Sequence, residues 1–184
     1  MDFPEKHMTF LIIGTDMGIS EICGLQWKFV NLTSQETSID GQLIPPRTIA
    51  VRRQWYRGLL TNVATGRGRN LPMSDATAQM LTAIKAKSKF TNPEDFVLTS
   101  RVGTPINQTN VATRRLQPVA KKLQLPNLSW QLFRRTRKAL VVEFGLHFQE
   151  VLSSLLTTTL PEVSTGHHTW HCRVRRPGSH SKDY

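Results

Sequence analysis

Apolar residues recur at helical spacing along much of this chain. The pattern predicts six helices, around residues 8–13, 20–25, 75–87, 107–123, 129–144 and 148–156. Ser74, Asn107 and Ser129 each stand where a helix N-cap is expected, and either Asp16 or Ser20 is the expected cap of the second helix. The chain is therefore predicted to be mainly helical.

Between the second and third helices, apolar and polar residues alternate as they do in half-buried strands. Strands are predicted at residues 27–32, 37–39 and 47–55, and a short strand or extended piece is predicted at residues 96–98. Residues 62–70 contain two glycines and two arginines and are expected to form a turn before Leu71. Pro118 lacks a backbone donor and is expected to bend or shorten the fourth helix. The predicted fold class is α+β.

The predicted helix after Ser129 carries a dense run of positive charge. Its four cations within five positions are Arg134, Arg135, Arg137 and Lys138. The residues expected on its buried face are Phe133, Thr136, Leu140, Val141 and Phe144. Arg134, Arg135 and Lys138 are then expected to lie toward solvent or toward a polyanion. Taken alone, such a run is typical of a solvated basic surface.

The net charge favours a polyanionic partner. The chain has 184 residues and a formal net charge of +11. Residues 41–74 and 96–142 contain no acidic residue, yet together they hold 15 of the 24 lysines and arginines. Because a solvated surface mixes both signs, these one-sided stretches favour nucleic acid as the partner. Composition alone leaves an RNA-associated basic protein open as well.

Length and apolar content favour a single folded domain, since 184 residues with 39% hydrophobic residues can bury one ordinary core. No apolar run has the length of a membrane span, and the first residues lack the pattern of a signal peptide. The two cysteines imply no disulfide framework, so a reducing cytoplasm is the expected compartment. The histidines and cysteine at residues 167–172 are of types that bind zinc, but such spacing also arises by chance in basic tails. We predict no metal site and no cofactor.

Several short motifs follow one another in a recognisable order. Residues 15–27 read T-D-M-G-I-S-E-I-C-G-L-Q-W, and residues 129–136 read S-W-Q-L-F-R-R-T. Between them lie a Leu-Pro pair at residues 71–72 and V-L-T-S-R-V-G-T-P at residues 97–105. In this order the motifs resemble the catalytic domain of the tyrosine recombinases, or phage integrases, whose first motif is typically T-G-M-R-I-S-E. The resemblance covers residues 8–156 and implies a mainly helical domain with a small three-stranded antiparallel sheet.

The resemblance implies DNA integration and recombination, in which a tyrosine attacks the scissile phosphate while arginines, a lysine and histidines assist. Carried over to this sequence, only the second arginine is retained, as Arg134. The other catalytic positions fall on Gly18 for the first arginine, Val63 or Thr65 for the lysine, Gln131 and Thr158 for histidines, and His167 or His168 for the tyrosine. The two tyrosines, Tyr56 and Tyr184, lie in the predicted sheet and at the last position. Catalysis is therefore expected to be impaired or absent.

Positive residues around these motifs are the expected DNA contacts. Arg67 and Arg69 are expected to replace the missing lysine in part as phosphate ligands. The complete set is Arg67, Arg69, Arg114, Arg115, Arg135 and Lys138. Double-stranded DNA is the expected partner, and other recombinase protomers are a further candidate. Two functions stay open: an impaired integrase-type recombinase domain, and a non-catalytic DNA-binding module that keeps the recombinase fold.

Residues 157–184 have no apolar period and are expected to form an irregular or disordered tail rich in basic residues and histidine. Because family-like sequence stops near Leu156, one hypothesis is that this tail is a foreign reading frame in a decayed mobile element. Residues 1–7 are too few to form the family's helical DNA-clamping domain, so that domain is expected to be missing. Contacts to the DNA backbone are therefore expected to dominate recognition.

Overall fold

The computed structural model of the protein describes residues 4–144, and it describes the side chains as far as Ala139. The helices are α1 (Pro4–Thr15), α2 (Ile19–Cys23), α3 (Asp75–Lys87), α4 (Gln108–Val111), α5 (Gln117–Lys122) and α6 (Trp130–Phe144). The strands are β1 (Val30–Asn31), β2 (Thr37–Ile39), β3 (Gln42–Ile44), β4 (Thr48–Val51), β5 (Arg53–Tyr56), β6 (Leu59–Asn62) and β7 (Arg69–Pro72). The α+β prediction is confirmed. The predicted helix at 148–156 and the tail at 157–184 lie outside the described residues.

A three-stranded antiparallel sheet is present, as predicted, and has the order β1-β4-β7. Its third strand is not the one expected, because β7 begins at Arg69, within the predicted turn, and the predicted strand at 37–39 lies outside this sheet. Strands β2 and β3 form one separate hairpin, and β5 and β6 form another. The single strand predicted over residues 47–55 is wrong, because its two halves belong to different sheets. Val51 pairs with Arg69, the first residue of β7, so β4 has no partner beyond this point. Residues 52–68 therefore leave the sheet, form the β5–β6 hairpin, and return.

The strand predicted over residues 27–32 is also partly wrong. Trp27–Phe29 forms a 3₁₀ turn, and only Val30–Asn31 is a strand. The backbone N–H groups of Trp27 and Lys28 donate to the carbonyls of Asp95 and Pro93, at 2.9 and 2.8 Å. These bonds hold the segment against a loop instead of a neighbouring strand.

One hydrophobic core joins α1, α2, α3 and the three-stranded sheet. Its fully buried side chains include Met8, Leu11, Ile22, Ile49 and Leu81. Burial of each side chain of this size stabilises the folded state by about 1.5–3 kcal/mol. The core therefore fixes the helices that carry the site. Among the described residues, no helix is both long and apolar enough to cross a membrane.

Three of the predicted helix caps are confirmed. The Ser74 side chain accepts a bond from the Thr77 N–H, and Asn107 accepts bonds from two N–H groups of α4 at 3.0 Å. Ser129 Oγ likewise accepts from the N–H of Leu132 at 3.3 Å. The cap of α2 was predicted wrongly, because Gly18 occupies that position instead of Asp16 or Ser20.

The predicted disturbance at Pro118 takes the form of a π turn. Residues Ala112–Leu116 form this turn between α4 and α5, and the Gln117 N–H donates to the carbonyl of Ala112, five residues back. Pro118 has no N–H to donate. The wider turn before it accommodates this residue, so the helix continues. The helix is interrupted rather than ended.

Helix α6 packs on the end of α1 through a face that partly matches the predicted one: Phe133 is half-buried against the core, as predicted, and the side chains of Leu140, Val141 and Phe144 lie outside the described part of the structure. Trp130 is buried, and Arg134 and Arg137 follow it at helical spacing on the same side. The Nε–H of Arg137 donates to the carbonyl of Ile13 at 2.7 Å. Thr136, predicted to be buried, is exposed. Because arginine stems are apolar and their heads can bond to a helix end, Arg134 and Arg137 share the packed side of α6 with Trp130 and Phe133.

Candidate functional site

Three arginines from two distant parts of the chain converge on one cavity of about 450 Å³. Arg67 comes from the segment before β7, Arg69 is the first residue of β7, and Arg134 comes from the second turn of α6. Glu21 and Gly66 complete the lining. The sequence predicted all three arginines as phosphate ligands, and the fold brings them together.

Arg69 is tied to α2 by a bidentate ion pair. Its two terminal nitrogens donate to the two carboxylate oxygens of Glu21, both at 2.8 Å. Burial raises the pKa of Glu21, but the bonds from Arg69 and the Gly18 N–H outweigh it, together with the charges of Arg69 and Arg134. The resulting pKa lies below the usual value of 4.5. Bonding to Glu21 in turn raises the pKa of Arg69, so both groups stay charged at neutral pH.

Arg134 is paired with a second carboxylate. Its Nε–H donates to Oδ1 of Asp16 at 3.0 Å, and both side chains are part-buried. Asp16 directly follows α1 and has a φ of 57°, in the left-handed region that aspartate tolerates better than most residues. The contact joins residues that are 118 positions apart in the sequence.

Gly18 lies between these two ion pairs, at the N-cap of α2. A β-carbon built on Gly18 would be 3.6 Å from Oε2 of Glu21 and 3.7 Å from a terminal nitrogen of Arg134. The Gly18 N–H donates to the same Glu21 oxygen at 2.7 Å. A longer side chain at this position would begin within reach of Arg134. The glycine leaves that side of the cavity without a cation.

The other positions carried over from the resemblance lie apart from this cavity. Val63 is part-buried and lines a neighbouring cavity of about 330 Å³ with Arg52 and Arg53. Gln131 is exposed on the first turn of α6. Thr158 and His167 lie outside the described residues.

The remaining predicted DNA contacts are on the surface. Arg114 and Arg115 are exposed on the π turn, and Arg135 and Lys138 are exposed on α6. Arg135 immediately follows Arg134, so the outer side of α6 presents positive charge next to the cavity. In the part of the chain described, no three His, Cys, Asp or Glu side chains come together as metal ligands.

Sequence reasoning missed the two carboxylates of the site. The sequence predicts Asp16 as a candidate helix cap and Glu21 only as a residue of the first motif, and it pairs neither with a cation. A hint was present, because residues 41–74 and 96–142 contain no acidic residue that could pair with their arginines. Any carboxylate that pairs with these arginines must therefore lie outside those stretches, and the first motif supplies two.

The model of the phage integrase family matches residues 1–151. The chain therefore belongs to the phage integrase family, as the motif resemblance predicted.

Solved structures give the same fold. The Tn1549 transposon integrase in complex with circular intermediate DNA is 19% identical, with a TM-score of 0.59 over 84% of this chain and 51% of that chain. A tyrosine-to-phenylalanine variant of that integrase, in complex with transposon right end DNA, is 19% identical with a TM-score of 0.59. That match covers 80% of this chain and 48% of the other. The chain thus spans about half the length of the solved integrase chains it matches. Comparison with the curated proteins finds no match.

Proposed function

We propose that this chain is an integrase-type DNA-binding domain that holds the phosphate backbone of double-stranded DNA and is impaired in DNA strand cleavage. The observation that carries the proposal is the meeting of Arg67, Arg69 and Arg134 at one cavity, with Gly18, at the position of the family's first arginine, beside Glu21 and Arg134. The arginines are expected to bind phosphate, and Gly18 is expected to slow DNA strand cleavage.

Electrostatics support the binding half of the proposal. Guanidinium groups match the geometry of phosphate oxygens and keep their charge at neutral pH. The exposed Arg135 and Lys138 extend the positive surface along α6. The related Tn1549 transposon integrase has been solved with DNA, which is consistent with a DNA-facing role for this fold.

The chemistry of the residues that replace the family's catalytic groups supports the impairment of strand cleavage. Gly18 supplies no donor to a phosphorane, and removing one comparable transition-state donor lowers rates by about 10²–10³. Gln131 can form hydrogen bonds but cannot exchange a proton near neutral pH as histidine does. Tyr56, half-exposed in β5, is the one tyrosine among the described residues.

Binding is tested by fluorescence anisotropy with a short DNA duplex over a range of salt concentrations. We expect Arg134→Gln to weaken binding roughly tenfold and to reduce the salt slope by about one, because one phosphate contact is lost. Lys6→Gln is the matched control, since it removes one exposed cation outside the two acid-free stretches. Equal binding by Arg134→Gln and Lys6→Gln would refute a role for the cavity in holding phosphate.

Cleavage is tested with a nicked suicide substrate that traps covalent protein–DNA adducts. We expect salt-sensitive binding with no adduct, as for a non-catalytic module that keeps the recombinase fold. An adduct resolved on a denaturing gel would contradict the proposed impairment and favour an active recombinase.

A further inference from the structure

The carboxylate of Asp16 is paired with Arg134, the cation that is proposed to bind the DNA phosphate. We propose that Asp16 is a built-in competitor of the DNA phosphate: it occupies the Nε–H of Arg134, so a phosphate binds there only by displacing it. This inference rests on the proposed function, because it takes Arg134 as a phosphate ligand. It makes the Asp16–Arg134 pair an autoinhibitory contact within the domain.

The contact uses a donor that phosphate recognition needs. Arg134 Nε donates to Asp16 Oδ1 at 3.0 Å, which is a normal charge-assisted hydrogen bond. Bidentate binding of a phosphate along that edge of the guanidinium requires the Nε–H together with one terminal nitrogen. Asp16 therefore blocks one of the two bidentate edges of Arg134 and leaves the other.

Hydrogen bonds to the last turn of α1 hold both partners of this contact in place. The N–H of Asp16 donates to the Ile12 carbonyl at 3.1 Å, which anchors the residue to the last turn of α1. Three residues after Arg134, Arg137 donates to the carbonyl of Ile13 at 2.7 Å, which anchors α6 to the same turn. The carboxylate and the guanidinium thus meet because two separate bonds fix their helices. The pair is preorganised and is not a chance contact between flexible side chains.

Two sequence positions change the charge of the site in the same direction. Where the family motif reads T-G-M-R, this chain reads T-D-M-G at residues 15–18. Gly18 removes a positive charge, and Asp16 adds a negative one beside the cation that is kept. Glycine would suit the φ of 57° at residue 16 without strain, so the aspartate is not required by the backbone. Its charge is the property that bears on DNA.

The test compares Asp16→Asn with wild type, because asparagine tolerates the same left-handed φ and removes only the charge. Asp40→Asn is the matched control: Asp40 has a φ of 50° and pairs with Lys28, with its side chain 73% exposed. Both variants raise the net charge by one. We expect Asp16→Asn to bind a short DNA duplex roughly two- to tenfold more tightly than Asp40→Asn. Equal affinities for the two variants would overturn the proposal.

A double variant tests whether the gain acts through Arg134. We expect Asp16→Asn to increase affinity in the wild-type background and to have no effect beyond that of Asp40→Asn when Arg134→Gln is present. A full gain in the Arg134→Gln background would show a general charge effect and would reject the competition.

Inorganic phosphate separates failure of this inference from failure of the proposed function. The probe is the Arg134 Nε–H resonance in a ¹⁵N NMR titration. We expect wild type to need several-fold more phosphate than Asp16→Asn for the same shift. If no variant binds DNA while this difference persists, the proposed function fails and the competition stands. If both proteins titrate alike with phosphate, the competition is wrong whatever the DNA result.

Discussion

Arg69 and Glu21 join β7 to α2 through two hydrogen bonds of 2.8 Å. The Glu21 side chain is only 13% exposed, so water screens this pair less than it screens a surface ion pair. The same carboxylate accepts the N–H of Gly18 at the start of α2. One acidic residue therefore caps a helix, fixes a strand to it and orients an arginine of the cavity.

We predict that Glu21→Gln lowers the free energy of unfolding by about 1–3 kcal/mol at neutral pH, because it leaves Arg69 with an unmatched charge. The measurement is urea denaturation followed by circular dichroism. Glu94→Gln is the control, since it changes an exposed carboxylate that pairs with Lys28 at 2.7 Å. A loss no larger for Glu21→Gln than for Glu94→Gln would contradict the importance of the buried pair.

The same carboxylate predicts a pH dependence. The folded pKa of Glu21 lies below the unfolded value of 4.5, so its contribution is fully present above that pH. The contribution is lost as the pH falls through the lower, folded pKa. We expect the stability difference between wild type and Glu21→Gln to shrink in acid, as urea midpoints at neutral and acidic pH will measure. A difference that is constant with pH would be inconsistent with this assignment.

Gly24 predicts a steric effect. A β-carbon there would lie 2.6–2.7 Å from backbone atoms of Gln54 and Trp55, which is too close for any real contact. We expect Gly24→Ala to push α2 away from β5 and to destabilise the fold by about 1–3 kcal/mol. Gly18→Ala is the matched control, because its β-carbon meets nothing nearer than 3.6 Å. Similar urea midpoints for the two variants would show that α2 and β5 separate without cost.

Leu81 tests the core. Its side chain is fully buried in α3, so Leu81→Ala is expected to lower the free energy of unfolding by about 2–5 kcal/mol. Leu43 in β3 is 63% exposed, and Leu43→Ala is expected to have a small effect. Urea denaturation of the two variants measures the contrast. Comparable losses of unfolding free energy in Leu81→Ala and Leu43→Ala would show that Leu81 is not a core residue.

Cys23 is predicted to be chemically inert in the folded protein. Burial raises the pKa of its thiol to about 12, so the thiolate fraction near pH 8 is on the order of 10⁻⁴. In a Cys172→Ser variant, Cys23 is the only cysteine. We expect mass spectrometry to find no alkylation by iodoacetamide until urea unfolds the chain. Rapid alkylation in native buffer would disprove the burial of α2.

Local chemistry explains what the sequence predicted well. The Ser74 cap and the helix from Asp75 to Lys87 depend on neighbouring residues only, and both were predicted at their observed positions. Motif order identified the family and the arginines of the cavity. The break after Val51 was missed because it depends on where β7 begins, far along the chain. The pairing of Asp16 with Arg134 was missed for the same reason, since it spans 118 positions.

The detour between β4 and β7 limits how the length of this chain can change. Val51 and Arg69 are partners across the sheet, so a tight turn would suffice to rejoin the strands if residues 52–68 were deleted. This deletion would remove Gln54, whose backbone packs against Gly24, and would expose α2 to water. At the far end of the hairpin, nothing lies within 4 Å of a β-carbon built on Gly58. We therefore expect insertions at the hairpin tip to be tolerated and deletion of residues 52–68 to destabilise the fold.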